Sequence, residues 1–201
     1  PYQKKRSERF SLQVFDDNLD KEWEKDIQLP YPDNRLSITD YRVDNNGNVY
    51  LLGALYENTS GFLRRNTNYR YIILAYTKDG EESQVYDVNL AGKFITDLTF
   101  RVGKKGKLVC SGFYSEKNSY SIKGTYYFQI DPLTSKVSNA NSKEFEFDFV
   151  TEYYSNRRKR KAKKAEEQGD IKRSAELYQY SLNDLILRSD GGAVLIAEQY
   201  Y

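Results

Sequence analysis

Three stretches of the sequence resemble one another closely enough to restrict the fold. They are "ITDYRVDNNGNVYLLGALY" (38–56), "ITDLTFRVGKKGKLVCSGFY" (95–114) and "LNDLILRSDGGAVLIAEQYY" (182–201). Each has an aliphatic residue two places before an Asp, then a short extended run. A polar turn ending in Gly follows, and then a strongly apolar run. The turn glycines read as Gly47, Gly106 and Gly192, placed where a tight hairpin connection needs positive φ. They are spaced by 59 and 86 residues, so one unit carries 27 extra residues. A strand-built repeat of this period implies supersecondary units that bury their apolar faces only against neighbours. The run after each turn is apolar on both faces, with Val49 and Leu51 on one and Tyr50, Leu52 and Ala54 on the other. That pattern marks a strand buried from two sides.

Two further extended runs separate the repeats. In the first full unit they are "YRYIILAY" (69–76) and "SQVYDVNL" (83–90). In the second they are "IKGTYYFQID" (122–131) and "KEFEFDF" (143–149), with a turn at Asp131-Pro132. The sequence also opens with such a pair, "RFSLQVFD" (9–16) and "KEWEKDIQLP" (21–30). With the four runs lettered a to d, the chain reads c-d, a-b-c-d, a-b-c-d, a-b. Four-stranded antiparallel units repeated at this length predict an all-β fold of β-propeller blades, as a single domain over residues 1–201. The first c-d and last a-b are complementary halves of one blade. Closing them would give three blades, below the usual minimum of about four. The chain therefore reads as a segment of a longer propeller, with a twisted Greek-key sandwich as the structural alternative. Beginning at Pro1 in a charged stretch, with no Met anywhere, it is expected to be a processed or excised piece.

The stretches "DNNGNVYLLG", "YYFQIDPLTSKV" and "YSLNDLILRSDGGAVLIAEQYY" together resemble β-propeller-like proteins of Bacteroidetes-type bacteria that have no assigned activity. Those proteins also carry a Lys-rich helical stretch before the last of these motifs, as here. The resemblance implies export to the periplasm or cell surface and adds little on function; a non-catalytic binding or scaffold role is the leading expectation. It brings no catalytic residues.

Catalytic chemistry is sparsely provided for. The chain has no His, which removes imidazole bases, Ser-His-Asp arrangements and His-ligated metals. A lone Cys110 cannot build a thiolate zinc site or an intrachain disulfide, and reads as a small buried hydrophobe. No phosphate-binding glycine loop is present, and no cofactor or metal is implied. Carboxylates remain. Asp40, Asp97 and Asp184 open the a strand of each repeat, the strand that lines a propeller's channel. A ring of them would suit a cation, a polar ligand or glycan hydrolysis; alternatively each accepts backbone N–H bonds near a turn. Glu198 is read at the position of Gly53 and Gly112, beside Val194 and Ile196, where burial would raise its pKa. The 19 tyrosines suit either a binding surface or simply strand formation.

The extra 27 residues contain "RRKRKAKK": Arg157, Arg158, Lys159, Arg160, Lys161, Lys163 and Lys164 flank Ala162. From about 151 to 179 the alternating pattern is lost, and helix formers run to Gly169, a plausible stop. Nine basic and four acidic residues between 157 and 176 give a local charge of +5, leaving −3 for the remainder of a chain whose total is +2. Basic residues precede the acidic ones, against the helix dipole, so helix stability does not account for the cluster. With no apolar stripe, the helix is expected to project into water. It reads as a solvated insertion, or as a docking surface for an acidic partner, either protein or anionic lipid headgroup. Nucleic acid is the weakest reading, because no base-reading residues accompany the cluster and the remainder is acidic. No apolar run approaches the roughly 18 residues of a membrane span.

Overall fold

The computed structural model describes residues 9–57, 68–116, 120–132 and 134–200; Pro1 and Tyr201, the ends of the expected 1–201 domain, lie outside them. The protein is built mainly of antiparallel β-strands, and it divides into two compact units, Pro1–Asn89 and Leu90–Tyr201.

The first unit contains β1 (Arg9–Phe15), β2 (Lys21–Gln28), β3 (Leu36–Val43), β4 (Val49–Tyr56), β5 (Tyr69–Thr77) and β6 (Glu82–Val88). β1 pairs with β2, and β3 to β6 form a four-stranded sheet in chain order. Every residue of β4 from Val49 to Leu55 is buried, as expected of a run apolar on both faces. One face of this sheet, through Leu51, Leu55, Ile72 and Leu74, packs on Ile27 and Leu29 with Phe10, Leu12, Val14 and Trp23 alongside.

The second unit contains β7 (Phe94–Val102), β8 (Leu108–Ser115), β9 (Gly124–Ile130) and β10 (Val137–Glu144), again one sheet in chain order. Two helices follow, α1 (Phe147–Val150) and α2 (Asn156–Glu167), and then the hairpin β11 (Tyr180–Leu187) and β12 (Ala193–Gln199). All eight residues of β8 are buried. In contrast to that strand, β12 exposes every second residue, Val194, Ile196 and Glu198. The fourth strand of this sheet lies earlier than "KEFEFDF" implies. β10 is Val137–Glu144 and exposed throughout, whereas Phe147 and Phe149 belong to α1. The aromatic alternation serves packing around a turn: Phe145 meets both Phe113 and Phe149 edge-on.

The three repeats share one local device. The register of each a-b pair shifts immediately before the aspartate, between Ile38 and Asp40, Ile95 and Asp97, and Leu182 and Asp184. Thr39, Thr96 and Asn183 are thus the extra residues of three β-bulges, so "ITD" and "LND" encode a bend of the strand. The turns close as expected at Gly47 (φ +75°) and Gly106 (φ +72°). In the third repeat Gly191 (φ +89°), not Gly192, takes the left-handed conformation.

Candidate functional site

Each repeat aspartate turns back onto its own strand. Asp40, Asp97 and Asp184 accept the N–H of the following residue, from Tyr41 at 2.8 Å, Leu98 at 2.9 Å and Leu185 at 2.7 Å. Asp40 also holds the Arg42 guanidinium at 2.6 Å. Within the second unit the aspartates of β7 and β11 are cross-linked. Asp97 accepts the Leu182 N–H, and Asp184 forms an ion pair with Arg101. Burial pushes the Asp97 carboxyl up to about 6, against the two N–H bonds, which favour its charged form.

Glu198 is not where the repeat alignment puts it. Counted from the pairs Val43↔Val49, Val102↔Leu108 and Leu187↔Ala193, the counterpart of Gly53 and Gly112 is Ala197. Glu198 lies one residue further on. It shares a face with Val194 and Ile196 as expected, but that face is exposed, so Glu198 is solvated rather than buried; Asn183 reaches it at 3.5 Å. Gly112 has its own reason to be glycine. The bulge brings the Asp97 carbonyl to 2.1 Å from where a Cβ would sit, and the same carbonyl accepts the Tyr126 hydroxyl at 3.0 Å. Cys110 is fully buried, and burial raises its thiol pKa. Among the described residues no three Asp, Glu or Cys side chains converge to hold a metal ion.

The basic helix departs furthest from expectation. Instead of projecting into water, α2 lies against the second unit. Ala162 and Ala165 are buried, and Ala162 packs in a cluster with Phe113, Ile122, Val150, Ala175 and Leu177. Two alanines three residues apart make a narrow contact strip of the kind that lets a helix approach closely. The Ser155 hydroxyl caps the helix by accepting the Arg158 N–H at 3.4 Å, and Gly169 (φ +66°) ends it as expected. Lys123, almost buried immediately before β9, bridges Glu144 at 3.4 Å and Glu166 at 3.6 Å. Burial disfavours its ammonium, but Glu144 and Glu166 outweigh that and raise its pKa.

The chain then returns beside the helix. Ile122 and Leu177 exchange backbone hydrogen bonds of 2.9 and 2.8 Å, fixing the return segment to the sheet. Buried Glu176 accepts from the hydroxyls of Ser115, at 3.1 Å, and Ser121, and the Tyr154 hydroxyl donates to its carbonyl at 3.4 Å. Between helix and return segment runs a groove of about 780 Å³. One wall carries Arg158, Lys161 and Lys164; the other carries Lys172 and Arg173. Arg158 is held over the Tyr154 ring at 3.8 Å.

Of the seven basic residues singled out in the sequence, the groove therefore gathers three and adds two. Arg157, Lys159, Arg160 and Lys163 lie outside its lining. Lys172 and Arg173 are visible in the sequence only as part of the local charge, and the pairing of walls follows from the Ile122–Leu177 bridge, which no sequence pattern marks. No family model matches the chain, and neither curated proteins nor solved structures compared with it give a match. Among the described residues no helix is long and apolar enough to cross a membrane.

Proposed function

We propose that this chain is a non-catalytic binding or scaffold module on a β-propeller plan, working in the periplasm or at the surface of a Bacteroidetes-type bacterium. The propeller reading is supported by two four-stranded sheets in chain order, preceded by a c-d pair and followed by an a-b pair. The envelope assignment is supported by the resemblance of the repeat motifs and of the Lys-rich helix before the last one.

One observation carries the non-catalytic reading. All three repeat aspartates are committed to the N–H of the next residue, and two of them also to an arginine. A glycosidase pair must keep two carboxyls free across the scissile bond, about 5–9.5 Å apart. Here the same oxygens shape bulges and join β7 to β11. The test is a reducing-end assay over a panel of neutral and acidic oligosaccharides, run with the native protein, Asp97→Asn and Asp184→Asn. The reading expects no turnover above buffer for any of the three. Turnover by the native protein that either substitution abolishes would overthrow it.

A further inference from the structure

We infer that the groove between α2 and the return segment is a binding site for a short acidic protein segment. This rests on the binding-module reading and names its site and its ligand chemistry. The walls carry five cations, Arg158, Lys161, Lys164, Lys172 and Arg173, against two carboxylates. Of those two, Glu176 is buried and bonded to Ser115 and Ser121, and Asp170 lies 3.7 Å from Arg173. The groove is thus net positive on a chain whose residues outside 157–176 sum to −3.

Its shape decides among the anions. Cations on two facing walls suit a chain lying between them, whereas a bilayer is planar and would meet only the rims. A nucleic acid long enough to use the charge would run on over the acidic remainder of the surface. The lining is also apolar in part, with Ala162, Ala165 and Ala175 beside the Tyr154 ring, so an apolar side chain gains by seating there. Arg158 to Lys164 spans six residues of helix, about 9 Å. That matches roughly three residues of extended peptide, whose carboxylates on alternate positions fall about 6.6 Å apart. The walls are fixed beforehand by the buried alanines, the Lys123–Glu166 ion pair and the Ile122–Leu177 bridge, so little ordering opposes binding.

The test uses the whole chain and a short fluorescent peptide alternating Glu with Leu, read by anisotropy. Its Gln-for-Glu counterpart, vesicles of anionic phosphatidylglycerol and a single-stranded oligonucleotide serve as competitors. Lys161→Glu with Lys164→Glu removes two groove cations; Arg160→Glu with Lys163→Glu makes the same charge change outside it. All four residues are exposed, so folding is not at risk. The groove variant is expected to weaken peptide binding about tenfold or more, the other less than about twofold. Equal effects of the two variants, equal binding of the Gln peptide, or no peptide binding would overturn the proposal. So would displacement by vesicles or oligonucleotide at lower concentration than by unlabelled peptide. Any of these leaves the binding-module reading standing, since that falls only on turnover.

Discussion

Replacing Asp97 by Asn separates two opposing accounts of the carboxylate that joins β7 to β11. It accepts N–H bonds from Leu98 and Leu182, which favour its charge, while burial opposes it; burial prevails, at about 6 against an ordinary 3.8. A carboxyl whose pKa rises on folding binds its proton more tightly in the folded state. Its stabilising contribution is complete below pH 3.8 and is lost as pH rises through about 6. A rise from 3.8 to about 6 is worth about 3 kcal/mol, at roughly 1.36 kcal/mol for each tenfold change in proton affinity. Asn, like the neutral carboxyl, keeps a carbonyl oxygen to accept the Leu98 N–H, and it cannot ionise. Asp97→Asn is therefore expected to be close to neutral at pH 4 and more stable than the native protein by about 2–3 kcal/mol at pH 7. Urea denaturation followed by far-ultraviolet circular dichroism at half-unit steps from pH 4 to 8 measures this. The sole tryptophan, Trp23, packs in the first unit, so its fluorescence would report the wrong half of the chain. The absence of His keeps imidazole titration out of the window. A variant less stable than the native protein at pH 7, by an amount that grows with pH, would show instead that the N–H bonds outweigh burial.

Other perturbations test the packing. Gly112→Ala forces a methyl onto the Asp97 carbonyl at 2.1 Å and strains the Tyr126 hydrogen bond; a loss of about 3 kcal/mol is expected in the same assay. Gly192→Ala, facing only the side chains of Asp190 and Arg188, should stay within about 0.5 kcal/mol. Ala165→Glu places a charge in the buried face of α2 and should unseat it, lowering helical circular dichroism and abolishing groove binding while the strand signal persists. Cys110, fully buried with its thiol pKa raised by burial, should react with a thiol reagent only in denaturant.

The strands were legible wherever apolar side chains marked them. β4 and β8, buried on both faces, stand within a residue or two of where the repeat puts them, because two-sided burial demands unbroken apolar runs. β10 was missed for the converse reason. As an outer strand with every residue exposed it shows no apolar alternation, while Phe145, Phe147 and Phe149 supplied a false one. The repeated Asp was visible, but its partners were not. That Asp97 meets Leu182, and Asp184 meets Arg101, depends on which strands lie side by side. The docked helix was hidden by the smallness of its contact. Ala162 and Ala165 are too slight to read as an apolar stripe among seven cations, yet close approach needs small residues there. Glu198 falls one residue off because "DGGA" offers two glycines: counting from Gly192 lands on Glu198, whereas Gly191 is the left-handed turn residue equivalent to Gly47 and Gly106, and counting from it lands on Ala197.

"RRKRKAKK" belongs to a docked helix that forms one wall of a built groove, rather than to a solvated arm. Amide hydrogen exchange across 156–167 tests this most directly. An unattached helix of 12 residues is marginal in water, so an arm would exchange at nearly the free-chain rate. Packing through Ala162 and Ala165 predicts that the amides of the second half of α2 exchange far more slowly than in a free chain, and that they lose this protection in Ala165→Glu while β8 keeps its own. Exchange across 156–167 as fast as in an unfolded peptide, while β8 stays protected, would contradict the account.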